Sequence, residues 1–177
     1  AMTGRFNLRE FSRPDLDIQR DADGNIRIAG ILFDSAAEDD SDGAQWALVQ
    51  DEIRIRDGRV RWQDDMREAP ALLLDDVNVT LQNGWWSHQF QLTAKPPSSL
   101  AAPFEVSADF RHPFFASDIS DFRQWKGELY ADLRNTDLAA WKPYFDYPME
   151  IYQGYGSVRA WLTLDHLRVA DFVYSPF

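Results

Sequence analysis

The 177-residue chain contains no cysteine, and this absence removes several kinds of chemistry at once. Disulfide bonds, thiolate metal sites and cysteine nucleophiles are all excluded. Histidine is also scarce, at three residues, so a zinc site built from imidazole ligands is not expected. No apolar run approaches the roughly 20 residues that a helix needs to span a bilayer. We therefore expect no metal, no cofactor and no membrane-spanning helix in this stretch of sequence.

Positive charge is in short supply. The chain has 18 Lys and Arg against 29 Asp and Glu, a net charge of −11. A nucleic-acid partner requires a basic surface for its phosphates, so nucleic acid is not an expected partner. Residues 34–43 hold five acids and no large apolar side chain, which predicts an acidic mobile surface loop. Calcium is not expected there, because Val49 stands where a calcium loop needs its bidentate Glu.

Catalytic motifs are missing as well. Neighbouring carboxylates occur at Asp39-Asp40, Asp64-Asp65 and Asp75-Asp76. Adjacent residues of a strand point to opposite faces, so these pairs cannot act together as acid and base. Gly154-Tyr155-Gly156 lacks the third glycine and the following helix of a dinucleotide loop, and no Gly-x-Ser-x-Gly elbow occurs. The sequence therefore predicts a protein without catalytic residues that is not an enzyme.

Aromatic residues, by contrast, are abundant. Seven Trp, six Tyr and twelve Phe make up 14% of the chain, and apolar residues alternate with polar ones along most of it. This pattern is typical of strands that bury one face. We predict an all-β fold, mainly antiparallel: a long twisted sheet shaped as a groove or a half-open sandwich, with one or two short helices. Residues 1–177 are interpreted as a single β-rich domain and, because long strands leave sheet edges that need cover, as a fragment of a longer chain.

Turn residues predict three hairpins. A three-residue loop over 22–24 places Ile18 opposite Ile28, with Gly24 in the left-handed conformation. Asp57-Gly58 is interpreted as a two-residue turn that places Ile55 opposite Val60. Four arginines then share the other face of this hairpin, where we expect carboxylates or solvent beside them: Arg54, Arg56, Arg59 and Arg61.

The third hairpin supplies most of a predicted apolar strip. A two-residue turn at Asn83-Gly84 places Leu81 opposite Trp86, and His88 falls on the same face as a core or rim residue. Three further strands join the strip by alternation alone. Its predicted members are Val77, Val79, Leu81, Trp86, Phe90, Val106, Leu129 and Val158.

Short helices are predicted at two places. Thr136 is a plausible N-cap for a helical turn that reaches Trp141 before Pro143 interferes, and this turn is the candidate cover for the apolar strip. The other prediction is a short helix over 118–124.

Two stretches resemble the AsmA-like, TamB-related proteins of the bacterial envelope, and above all the YhdP family. The first is Ile53-Arg-Ile-Arg-Asp-Gly-Arg-Val-Arg-Trp-Gln-Asp64, followed by the apolar strand at 72–81. The second combines the Trp-Lys-Gly-Glu-Leu segment from Trp125, the Thr-Asp-Leu-Ala-Ala-Trp segment over 136–141 and the Gly-Tyr-Gly-Ser-Val segment from Gly154. Together they cover roughly residues 46–165.

The resemblance implies more than the residues do. Proteins of this kind are anchored in the inner membrane of Gram-negative bacteria, with most of the chain in the periplasm. They form extended β-sheets with an apolar groove that carries phospholipid toward the outer membrane. On this reading the segment is soluble, its partners are phospholipid or another acyl-chain ligand and the rest of the same chain, and the eight residues of the strip face lipid.

Two alternatives remain open. The first is a β-sandwich module that binds carbohydrate or protein through exposed aromatics, notably Trp85, Trp86 and Trp161. The second is a structural β-domain whose aromatics all lie in its core. An open apolar face distinguishes a groove from a sandwich, in which a second sheet closes that face.

Overall fold

The chain folds into one large β-sheet. The computed structural model describes residues 8–28, 31–33, 46–113, 124–144, 155–165 and 168–176. The strands are β1 (Leu8–Ser12), β2 (Asp15–Arg20), β3 (Ile26–Ile28), β4 (Ile31–Phe33), β5 (Glu52–Asp64), β6 (Ala69–Asn83), β7 (Ser87–Lys95), β8 (Phe104–Arg111), β9 (Lys126–Asp137), β10 (Tyr155–Asp165) and β11 (Arg168–Pro176). The predicted all-β class is confirmed.

All eleven strands belong to a single sheet with the order β11-β10-β9-β8-β7-β6-β5-β2-β3-β4. Strands β1 and β2 follow one another along the same edge of β5 and pair with it in parallel, whereas every other pairing is antiparallel. Helical structure in the described ranges is limited to short turns, such as the one at 46–48. The predicted acidic loop at 34–43 and residues 118–123 of the predicted helix lie outside the described residues.

The first predicted hairpin is confirmed. Ile18 pairs with Ile28 across β2 and β3, and Arg20 pairs with Ile26. Gly24 adopts a left-handed backbone with φ of 93°. The carboxylate of Asp21 stabilises the loop by accepting hydrogen bonds from the backbone N–H groups of Asp23 and Asn25.

The second predicted hairpin is wrong, because β5 runs without interruption through Asp57 and Gly58. Ile55 and Val60 do not pair with each other. They pair with Val79 and Leu74 of β6, respectively. Asp57 is left-handed, with φ of 53°, and marks a register shift inside the strand. An Asp-Gly pair suits a left-handed position in a bulge as well as in a turn, so the dipeptide alone does not distinguish the two.

The third hairpin exists, but its predicted register is wrong. Leu81 pairs with Phe90, and Asn83 pairs with His88, so the loop contains four residues instead of two. The N–H of Gly84 donates to the Ser87 carbonyl at 2.7 Å and closes this longer loop. Trp86 therefore lies in the loop, 47% exposed, and not opposite Leu81. The shift is an even number of residues, so the strand residues keep the faces predicted for them.

The predicted N-cap at Thr136 is also wrong. Strand β9 continues to Asp137, and the Asp137 carboxylate caps the following turn by accepting hydrogen bonds from the N–H groups of Ala139 and Ala140. Thr136 is fully buried and donates its hydroxyl to the Leu100 carbonyl. Residues 138–144 form consecutive turns and no regular helix.

A row of left-handed residues crosses the sheet. Arg13, Asp57, Asp76 and Asn135 have φ between 45° and 53°, and the last three lie at register shifts of their strands. Arg13 occupies the joint between β1 and β2, where its N–H donates to the Arg56 carbonyl at 2.7 Å. Each extra residue reverses the inward and outward alternation of its strand.

The reversal keeps one face apolar along the full length of β6. Leu72 and Leu74 pair with Trp62 and Val60 before Asp76, and Val79 pairs with Ile55 after it. Even-numbered positions thus face the apolar side on one half of the strand, and odd-numbered positions do so on the other. A strand with uninterrupted alternation would turn Val77, Val79 and Leu81 to the opposite face.

We expect substitutions at Asp76 to change stability according to whether the new residue tolerates a left-handed backbone. Asp76→Val should lower the free energy of unfolding by about 1–2 kcal/mol, because a β-branched residue is strained at positive φ. Asp76→Gly should stay within about 1 kcal/mol of the parent chain, since glycine adopts this conformation without a Cβ clash. Urea denaturation followed by circular dichroism measures both. Equal destabilisation by the two variants would show that the left-handed backbone is not what matters at this exposed position.

Candidate functional site

The candidate functional site is the apolar face of the sheet. Two rows of side chains cross six strands from β5 to β10, each row joined by direct strand pairing. The first row contains Ile53, Leu81, Phe90, Ala108, Leu129 and Leu162. The second contains Ile55, Val79, Leu92, Val106, Ala131 and Ala160. Neither row contains a polar side chain.

Seven of the eight predicted strip residues lie on this face, and Trp86 does not. Leu81, Phe90 and Leu129 share the first row, and Val79 and Val106 share the second. Val77 and Val158 lie beyond the second row, opposite Gly58 and Leu133. The prediction missed other members, including Leu92, Ala131 and Leu162. The period-two alternation of apolar residues on β7, β9 and β10 was sufficient to identify them.

One end of the apolar face is covered by the chain itself. Leu100, Ala101 and Trp141 pack with Leu72 in a buried cluster. Partly buried apolar side chains surround this cluster: Trp62, Leu74, Phe104, Leu133, Ala140 and Tyr144. Trp141 thus contributes the cover that was expected from the segment after Thr136, although a turn and not a helix carries it.

The middle of the face is less covered. Val77 is 3% exposed where the face approaches the cluster, but Leu81, Phe90, Val106 and Leu129 are all only half-buried. All described strands belong to the one sheet, so no second sheet of described residues lies on this face. The two rows thus form an apolar surface that is partly accessible, as a groove wall would be.

A stack of rings closes the opposite end of the face. His88 is 2% exposed and lies flat on Trp125, with ring centroids 4.4 Å apart, and His112 lies 5.3 Å from it. Its Nδ1 shares a 2.7 Å hydrogen bond with the Asn83 side-chain oxygen, and its Nε2 is buried with no partner among the described residues. The prediction of a core or rim histidine is confirmed. Burial, and secondarily the charge of His112, lowers the pKa of His88 to about 4.

Asn83 links this stack to the turn before β5. Its amide nitrogen donates to the carbonyls of Ala47 and Gln50, both at 2.8 Å. Gln50 in turn accepts a hydrogen bond from Arg9 of β1 at 3.2 Å. One polar side chain therefore joins three separate elements at this end of the sheet.

The other face is polar, as the four arginines predicted. Each arginine has a carboxylate partner: Arg54 with Glu52 at 2.5 Å, Arg56 with Glu10 at 3.3 Å, Arg59 with Asp75 at 2.8 Å and Arg61 with Asp17 at 3.3 Å. Most of these pairs are exposed and contribute little stability individually. Their effect is to keep this face hydrated, which distinguishes it from the apolar one.

Fold and site together define an open, single-sheet β-protein with one apolar and one polar face. Among the described residues, no group of His, Asp and Glu could hold a metal ion. Across the same part of the chain, no helix is long and apolar enough to cross a membrane.

The family is shown by comparison with known proteins. The family described as YhdP protein matches residues 2–175, nearly the whole chain. The chain therefore belongs to the YhdP family, an AsmA-like family of bacterial envelope proteins. No curated protein and no solved structure matches the chain significantly.

We expect His88 to make stability depend on pH. The folded state keeps this imidazole neutral, so the unfolded chain binds more protons between pH 6.5 and about 4. Stability should fall as the pH is lowered through that window, by about 3 kcal/mol in all from this group. His88→Phe keeps a ring for the stack but cannot titrate. Urea denaturation at pH 7 and pH 4 should show a smaller loss for this variant than for the parent chain, and an identical loss would contradict the assignment.

Proposed function

We propose that this chain is a segment of a periplasmic lipid conduit whose apolar face carries the acyl chains of phospholipids between the inner and outer membranes. The observation that carries the proposal is the pair of apolar rows across six strands. Membership of the YhdP family, an envelope family, supports it. In this proposal the longer protein is anchored in the inner membrane, and the segment works without catalysis.

The direction of the rows suits transport. Each row runs across the strands and therefore along the length of the sheet. Five strand spacings of about 4.8 Å make a row about 24 Å long between β5 and β10. Further strands added beyond β11 would lengthen the sheet in the direction of the two rows. The rest of the same chain is thus the natural neighbour of this segment, because a sheet extended in this way gives a continuous apolar track.

The chemistry of the rows suits acyl chains in general. Aliphatic side chains and the ring of Phe90 offer dispersion contacts and no hydrogen bonds, so they hold methylene groups without fixing them in one position. Small residues recur toward the β10 side of the rows, with Ala108 in the first row and Ala131 and Ala160 in the second. They leave room above the backbone for a ligand.

Energetics also favour an occupant. Apolar area that faces water costs about 25 cal/mol for each Å² left uncovered. Monomeric soluble proteins rarely leave a large contiguous patch in that state. An acyl chain laid along a row would remove the half-buried side chains from water.

A charge in the first row should abolish lipid binding. Leu81→Asp places a carboxylate between Ile53 and Phe90, where lipid occupancy would leave it desolvated and unpaired. We expect at least about a tenfold loss of co-purified phospholipid in native mass spectrometry, since a cost of 1.4 kcal/mol already gives a factor of ten. In cells, the same change in the parent protein should weaken the envelope barrier.

Thr80→Asp is the matched control. Thr80 is adjacent, half-buried and on the polar face, so its variant should retain lipid at the parent level. Thermal unfolding of both variants separates a binding defect from a folding defect. The proposal fails if the parent chain carries no phospholipid, or if both variants lose it equally while remaining folded.

A further inference from the structure

The polar face carries a patch that the lipid conduit does not use. Tyr130 of β9 pairs directly with Trp161 of β10, and Ser107 of β8 pairs with Tyr130 on the other side. These positions alternate with the apolar rows, so their side chains lie on the opposite face of the same strands. The side chains of the patch therefore differ from those that form the acyl-chain surface.

Two aromatic rings form the centre of the patch. The centroids of Tyr130 and Trp161 are 5.2 Å apart, and their planes meet at 46°. Trp161 remains 43% exposed. A shallow cavity of about 280 Å³ opens beside the rings.

Hydrogen-bonding groups of neutral and acidic character surround the rings. The polar residues that line the cavity beside the two aromatics are Gln89, Gln91, Ser107, Asp109 and Glu128. Three residues of the first apolar row, Phe90, Ala108 and Leu129, also border it. Gln89 donates to the Asp109 carboxylate at 3.3 Å, which orients both side chains. Amides supply donors and acceptors, and carboxylates accept hydrogen bonds from hydroxyl groups.

We infer that this patch binds pyranose units of a neutral glycan. The C–H groups on one face of a pyranose ring carry partial positive charge and stack on the negative face of an aromatic ring. The hydroxyl groups at the ring edge then reach the amides and carboxylates around Trp161. The cavity is of the size that one or two sugar units would occupy, just below the usual range for small-molecule sites.

Charge decides which glycans fit. Asp109, which pairs with Arg111 at 3.4 Å, and Glu128 of the neighbouring strand place two carboxylates at the cavity, and the whole chain carries −11. An anionic polysaccharide would be repelled, whereas a neutral or N-acetylated one would not. The ligand class is therefore uncharged hexose or N-acetylhexosamine polymer.

The test is a titration of the 177-residue chain with cellotetraose and with an N-acetylglucosamine tetramer, followed by calorimetry and by tryptophan fluorescence. We expect saturable binding of at least one tetramer. Trp161→Ala should weaken it at least tenfold, and Trp161→Phe should recover part of the loss because a ring is restored. Trp85→Ala is the control, since Trp85 is 87% exposed and lies in the β6–β7 loop, away from the cavity.

Several results would overturn the inference. The first is that neither tetramer binds. The second is that Trp161→Ala, folded by circular dichroism, binds as tightly as the parent chain, which would leave Tyr130 and Trp161 as an ordinary cross-strand pair. The third is equal affinity for an oligogalacturonate, which is anionic. Leu81→Asp, on the other face, should leave glycan binding unchanged, so failure of the conduit proposal and failure of this one can be told apart.

Discussion

The separation of one apolar face from one polar face depends on backbone conformation at a few points in the sheet. In a long strand, one extra residue turns every side chain that follows it to the other face of the sheet. Asp57, Asp76 and Asn135 each add one such residue in a left-handed conformation. Asp and Asn tolerate positive φ better than other non-glycine residues. The bulges lie in neighbouring parts of the sheet, so the reversals in adjacent strands match and both faces stay continuous.

The two faces then take different roles. The apolar one is covered at one end by the Trp141 cluster and closed at the other by His88 and Trp125, with half-buried aliphatic rows between. The polar one carries ion pairs along β5 and the aromatic patch around Trp161 on β10. A single sheet thus presents two chemically distinct surfaces, and ligands of opposite character can be proposed for them without conflict.

Local sequence patterns correctly predicted the features that depend on side chains alternating between the two faces of a strand. The strand faces and the β2–β3 hairpin followed from residues close in sequence, whereas three of the four arginines have their carboxylate partners on other strands. The arginine face was correct although its hairpin was wrong, because the bulge at Asp57 reverses the alternation inside β5 and so brings the arginines before and after it to the same face. The prediction of a turn at Asp57 was wrong because bulges and turns favour the same residue types. The stack of His88 on Trp125 joins residues far apart in sequence, and no local pattern encodes such a contact.

Site-specific photo-cross-linking along β6 tests the central claim most directly. A photoreactive amino acid is placed at each position from Leu72 to Leu81 in cells, and covalent phospholipid is measured by mass spectrometry. We expect labelling at Val79 and Leu81, and none at Asn78 and Thr80 on the polar face or at Leu72, which the Trp141 cluster covers. Labelling at Asn78 and Thr80 instead, or none at Val79 and Leu81, would contradict the conduit.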